Sequence, residues 1–235
     1  MSMIYLVRHG QASFGKANYD VLSDVGIKQS GILARYFIKT GVTFDAVYSG
    51  SMDRQLRTAE IIINEFALSG ISLPELDVMP EFNEYDSKSI ITALAPELIE
   101  EDPAIKSSFD KIFTDRKAFQ KIFERSMLKW VSKGDACEGI ESWNSVKTRV
   151  SLAVSRITSV YGGGKTILIV ASGGTISACI EDVTGIGDEA AQHLCWQIAN
   201  TSVSKLVYNE ERITLRTFNA WPHLEDGYRE MITFR

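Results

Sequence analysis

Ile4-Tyr5-Leu6-Val7-Arg8-His9-Gly10 begins as four apolar strand formers and passes without a spacer into two basic residues and a glycine. A short apolar run that stops so abruptly suits a parallel strand buried on both faces and ending in a loop. Chemistry in such folds sits at the carboxyl ends of the strands, so Arg8, His9 and Gly10 are placed where a ligand is expected. A neutral imidazole is a competent nucleophile toward phosphorus, a neighbouring guanidinium can grip phosphoryl oxygens at two points, and glycine lets the backbone approach an anion.

Reading outward, Ser23-Asp24 offers capping side chains for a helix that carries Ile27, Leu33, Ala34, Phe37 and Ile38 on one side and stops at Gly41. Phe44 to Tyr48 reads as a second strand, Met52 to Phe66 as a helix and Leu76 to Met79 as a third short strand. Later come a helix over Ser142 to Val160, a strong central strand over Thr166 to Ala171, and a helix opened by Gly173-Gly174. Two closing strands, Ser202 to Tyr208 and Arg212 to Phe218, flank the turn residues Asn209-Glu210-Glu211. The alternation predicts an α/β fold with a mostly parallel central sheet and helices on both faces.

Between Glu84 and Ser142 the strand signals vanish. Phe109, Ile112, Phe113, Phe119, Ile122, Phe123 and Trp130 recur at three- and four-residue steps, interleaved with lysines and arginines. This predicts an inserted helical cap over about residues 85–141 in a single domain spanning 1–235, its aromatics packed on the main body and its basic residues on a solvated face. Asp102-Pro103 reads as a cap and first-turn pair for a helix in it.

A chain of 235 residues with 45% apolar content can bury one large core. Its net charge of −5 argues against a surface built to neutralise nucleic-acid phosphates. The amino terminus shows no secretory pattern, no stretch is long enough to span a membrane, and three widely spaced cysteines suggest neither a disulfide framework nor a zinc site. A cytoplasmic protein without metal or cofactor is expected; a homo-oligomer is compatible with the sequence. Gly162-Gly163-Gly164-Lys165-Thr166 imitates a nucleotide-binding loop, but Ser159 stands where the motif needs its first glycine, and the stretch precedes a strand instead of opening a helix.

The motifs together resemble those of the histidine phosphatases, the phosphoglycerate mutase-like superfamily. Arg8-His9-Gly10-Gln11 is similar to the family's opening motif, and Tyr19 to Gln29 resembles its next block. Val47 to Ala59 resembles the strand-to-helix segment in which the arginine matching Arg54 binds phosphate, and Glu81-Phe82-Asn83-Glu84 resembles the site of the family's acid, with Glu84 as proton donor. Ile169 to Thr175 departs from the pattern: Ser172 occupies the place of the family's second histidine, followed by Gly173-Gly174, whose backbone N–H groups can still bind an anion.

The resemblance implies that Arg8 and Arg54 orient a phosphoryl group, that His9 attacks it, and that Glu84 protonates the leaving oxygen. Gln11, Ser172 and Gly173 join the two arginines as expected phosphate-binding residues. The expected activity is hydrolysis of a phosphomonoester, either a small phosphorylated molecule or a phosphopeptide, through a phosphohistidine on His9 and slowed by the missing imidazole. A non-catalytic phosphate-recognition protein is the alternative, and a mutase cycle is less favoured. His193 reads as a packed or surface residue, and His223 lies closer to the expected pocket without entering the catalytic set.

Overall fold

The computed structural model describes residues 1–13, 20–109, 111 and 115–234, the Arg116 side chain excepted. Six strands form one sheet: β1 (Ser2–Arg8), β2 (Ala46–Ser49), β3 (Leu76–Val78), β4 (Thr166–Ala171), β5 (Val203–Tyr208) and β6 (Ile213–Ala220), in the order β3-β2-β4-β1-β5-β6. The first four pair in parallel, whereas β5 runs antiparallel to both β1 and β6. The expected mostly parallel sheet is therefore present, closed on one side by an antiparallel pair.

Alternation along the central strands divides the core in two. Tyr5, Val7, Val47, Leu168 and Val170 face helices α1 (Asp24–Lys39) and α2 (Asp53–Leu68). Ile4, Leu6, Ala46, Tyr48, Ile167, Ile169 and Ala171 face the opposite way, toward α6 (Trp143–Val160) and α7 (Gly173–Thr184). Both faces are covered, which is why β1 and β4 read as nearly unbroken apolar runs.

Caps follow the sequence closely. The Ser23 side chain accepts from Gly26 N at the start of α1, and Ser142 accepts from Ser145 N at the start of α6. Strand β2 starts two residues later than expected, because the Asp45 carboxylate takes up the backbone N–H of Thr166 and pairing begins at Ala46. Phe44 leaves the strand and joins Tyr5 and Phe37 in edge-on ring contacts.

The segment between β3 and α6 is helical: α3 (Ser87–Glu101), α4 (Lys106–Phe109) and α5 (Arg116–Ser132). Asp102 caps a 3-10 turn, Pro103–Ile105, ahead of the short α4, so the aromatic periodicity from Phe109 to Trp130 is not one helix. Ile112 and Phe113 lie outside the described residues. The basic face is only partly solvated: Lys106, Lys111, Lys117 and Lys121 are exposed, but Arg125 pairs with Asp102, and Lys129 with Glu97 and Glu101. Among the described residues no helix is long and apolar enough to cross a membrane. Between α7 and β5 lies α8 (Asp188–Cys195), and α9 (Pro222–Glu225) follows β6.

Three aromatic rings join the helical segment to the sheet. Trp130, fully buried, lies 4.7 Å from Tyr85 and 5.6 Å from Trp143 between ring centroids, and its indole N–H donates to Glu141 O. Removing a side chain of this size from a packed interior costs about 3–5 kcal/mol. Trp130→Ala should lower the midpoint of a single urea-unfolding transition by that equivalent; an early second transition, with the main midpoint unchanged, would show that the helical segment unfolds alone.

Candidate active site

The site is built at the carboxyl ends of β1 and β4. Arg8 pairs in register with Ala171, and the ladder continues past the strand through His9 N donating to Ala171 O at 2.9 Å. His9 and Ser172 are thus the next neighbours on adjacent parallel strands, about 4.8 Å apart. Both continue the face of Tyr5, Val7, Leu168 and Val170, so both look toward the first turn of α2.

His9 is buried, with 4% of its surface exposed. Its Nδ1 lies 2.7 Å from Gly10 O, and since a carbonyl only accepts, Nδ1 carries the proton. The lone pair is therefore on Nε2, which accepts from Arg54 Nε–H at 3.1 Å. Burial, with Arg54 and then Arg8 nearby, holds the imidazole well below its ordinary value of 6.5. The ring is neutral and its nucleophilic nitrogen is defined.

Arg54, the second residue of α2, is fixed by Asp20: Nη1 donates to Oδ1 at 2.5 Å, while Oδ2 accepts from Asp53 N at 2.9 Å. One carboxylate thus caps α2 and aims its arginine. Arg8 takes a different path. Strand alternation sends it to the opposite face from His9, where Nη1 donates to the carbonyls of Ile198 and Phe234 (2.8 Å to the latter). Its Nε lies 3.9 Å from where a Cβ on Gly173 would sit, so the guanidinium backs the glycine turn.

Glu84 follows a 3-10 turn, Pro80–Phe82, and reaches the start of α7, where Oε2 accepts from Gly174 N at 3.1 Å. A Cβ on residue 174 would lie 2.2 Å from Glu84 Oε1, so only glycine permits this contact. The carboxyl is thereby placed at the same helix start that carries Ser172 and Gly173. Gln11 is anchored and not free to roam: its Oε1 accepts from Ser23 Oγ at 2.8 Å, and its backbone N–H donates to Gln29 Oε1 at 2.9 Å.

The sequence reading missed several supports. Asn200 Nδ2 donates to His9 O, and Thr201 N to Arg8 O, the latter from a left-handed backbone at φ 57°. Gln55, fully buried, donates to Ser172 Oγ. These polar residues follow no period, and their roles emerge only once distant strands are in register. Cys195 is also nearby, its Sγ 3.3 Å from where a Cβ on Gly173 would sit, but burial pushes the thiol up to about 12, which keeps it protonated. His193 is exposed on α8. Among the described residues no group of three or more His, Cys, Asp or Glu could hold a metal.

The fold and motifs have relatives. The model of the histidine phosphatase superfamily (branch 1) matches residues 4–117 and 113–220. A candidate phosphoserine phosphatase of Hydrogenobacter thermophilus is 26% identical over 232 residues, covering 95% of this chain and 98% of that protein. Among solved structures, a histidine-to-alanine mutant of phosphoserine phosphatase from Entamoeba histolytica, in complex with phosphoserine, aligns with a TM-score of 0.61 at 19% identity over 95% of this chain and 100% of that one. The phosphoglycerate mutase of Bacillus anthracis aligns at 0.63 and 18% identity over 96% of both chains.

His223 is buried against Thr201, its Nε2 3.0 Å from Thr201 Oγ1, and it supports the site from behind. Since Thr201 Oγ1 donates to Asn200 O, His223 carries its proton on Nε2, and Nδ1 has no hydrogen-bond partner among the described residues. Burial lowers it from 6.5 to about 4. Below about pH 6.5 the unfolded chain binds a proton here that the folded chain refuses until about pH 4, so stability falls with pH across that window and levels off beneath it. Between pH 7 and 5 this group alone removes about 2 kcal/mol; His223→Phe should shrink the pH-dependent loss by that amount in urea unfolding. With strand-end His9, the α2 arginine and the motif blocks all inside the matched range, the chain belongs to the histidine phosphatase superfamily, branch 1.

Proposed function

We propose that the chain hydrolyses small phosphomonoesters through a phosphohistidine formed on His9. The observation that carries this reading is the His9–Arg54 contact: a buried imidazole, kept neutral, presents the Nε2 lone pair to a guanidinium of the kind that binds phosphoryl oxygens. The candidate phosphoserine phosphatase among the relatives and the phosphoserine-bound neighbour support a small phosphomonoester, phosphoserine being the first to try.

In the first step Arg54 shifts its Nε–H from His9 to a phosphoryl oxygen, freeing the lone pair. His9 Nε2 attacks phosphorus in line, the N–P bond forms, the P–O bond to the leaving group breaks, and protonated Glu84 gives its proton to the departing oxygen. The positive charge left on the imidazole is stabilised by the Nδ1–H bond to Gly10 O. In the second step water attacks phosphorus, its proton passes to the Glu84 carboxylate, the N–P bond breaks, and orthophosphate leaves. The Gly173 N–H group at the start of α7, the Ser172 hydroxyl, and Gln11 at the loop edge complete the pocket, while the Gly174 N–H holds Glu84 and Arg8 contributes positive charge from behind the glycine turn. Hydrolysis asks only for water at the second step, which favours it over a mutase cycle that must retain an intermediate and return its phosphate.

Three variants test the reading. His9→Ala should lower turnover of p-nitrophenyl phosphate and phosphoserine on the order of 10³-fold or more in a folded protein, and acid-labile phosphate should be trapped on the parent alone. Undiminished hydrolysis in His9→Ala would refute the covalent route, and tight orthophosphate binding with no turnover in the parent would identify a recognition protein instead. Glu84→Gln should cost about 10²–10⁴-fold on alkyl phosphates and far less on activated aryl phosphates, which need little protonation. Arg54→Ala should weaken competitive inhibition by vanadate by about 1.5–3 kcal/mol, the range for a hydrogen bond to a charged group.

A further inference from the structure

Ser172 and Gln55 repeat the geometry of His9 and Arg54 one strand and one residue along: adjacent strand ends meet consecutive residues in the first turn of α2. The Gln55 side chain is fully buried. Its Nε2 donates to Phe82 O at 2.8 Å and to Ser172 Oγ at 2.9 Å, and its Oε1 accepts from Met52 N at 3.3 Å. This amide cannot be flipped. A flip would set Oε1 against the Phe82 carbonyl and Nε2 against the Met52 N–H, pairing acceptor with acceptor and donor with donor. Gly50 makes the room, since a Cβ there would lie 2.0 Å from Gln55 Oε1. Nε2 therefore faces Ser172 as a donor, and the serine oxygen is forced to accept.

We propose that Gln55 is a positioning residue: by donating to Ser172 Oγ it commits the serine's own O–H to donate forward, into the pocket beside His9 Nε2, onto a phosphoryl oxygen. A serine hydroxyl left to itself rotates to suit whatever partner is near. With Gln55 in place it is a preorganised donor, and a donor aimed in advance at developing negative charge is worth more than one that must turn to meet it. The pair is neutral at every working pH, so this donor, unlike an imidazole, does not titrate. The proposal rests on the phosphomonoester reading of the pocket.

A double-mutant cycle tests it, read both as kcat/KM on p-nitrophenyl phosphate and as the Kd for orthophosphate. Ser172→Ala should weaken each by about tenfold or more, the equivalent of one hydrogen bond to a charged group. Gln55→Met, which keeps volume and loses the donor, should do the same in the parent background and change either readout less than twofold in Ser172→Ala. A Gln55→Met loss of equal size in both backgrounds, or a Ser172→Ala variant that binds and turns over like the parent, would overturn the proposal. Should Gln55→Met fail to fold, the isosteric Gln55→Glu serves: its carboxylate accepts the Ser172 proton and turns the hydroxyl away. Activity relative to parent should climb as pH falls from 7.5 to 5.5 and a protonated carboxyl regains a donor, and Ser172→Ala should abolish the climb. A climb that survives in Ser172→Ala would count against the proposal. Loss of the phosphatase reading shows up separately, as turnover that persists in His9→Ala; the orthophosphate cycle reports on Gln55 in either case.

Discussion

The parallel pairing of β1 with β4 is the constraint on which the site depends. Arg8 opposite Ala171 puts His9 beside Ser172 and turns both toward α2, and it turns Arg8 to the other face. A shift of one residue in this register would exchange the faces, bury the arginine against α2 and expel the imidazole. What fixes the register is apolar: Ile4, Leu6, Ile167 and Ile169 fill one core and Tyr5, Val7, Leu168 and Val170 the other, so a slipped strand would mismatch both.

From that register the polar shell follows. α2 starts next to β2's end, with Asp20 at its N-terminus, so Arg54 and Gln55 meet His9 and Ser172 in turn. The antiparallel pair supplies the other wall: Asn200 and Thr201, just ahead of β5, bind the carbonyls of His9 and Arg8. Residues 231–233 close around Gln29 and Asn200 through Met231 O, Thr233 Oγ1 and Thr233 O. The backbone around His9 is thus held by partners from distant parts of the chain, as preorganised catalysis requires.

How much of this was legible in the sequence depended on the kind of signal. His9 sits where an apolar run stops, so the strand pattern alone placed it at a strand end; Arg54 and Ser172 lie at a helix start and a strand end that the pattern also gave, but the resemblance singled them out. Glu84 lies beyond a 3-10 turn in a stretch without a period, and only the resemblance pointed to it. Gln55 and Asn200 gave no sign at all, because a buried amide takes its meaning from what faces it. Arg8 was expected beside a phosphoryl group from its adjacency to His9 and from the resemblance; strand alternation carries it to the face opposite His9, where its Nη1 donates to the carbonyls of Ile198 and Phe234. The helical segment was legible in kind but not in continuity, since Asp102 and Pro103 set a 3-10 turn and a short helix ahead of α5.

The contact between Arg54 and His9 has a consequence for chemical selectivity. An imidazole with an open lone pair is a ready ligand for zinc, nickel or copper and a target for alkylating reagents. Here the lone pair is occupied by an N–H and the ring is almost wholly enclosed, so a stray cation meets a guanidinium of its own sign before it meets the nitrogen. On the proposed mechanism a phosphate dianion would meet the opposite situation, drawing the guanidinium onto itself and uncovering the nitrogen by the same displacement. If Arg54 recruits the substrate as proposed, the same group would shield the resting imidazole from metals and adventitious modification.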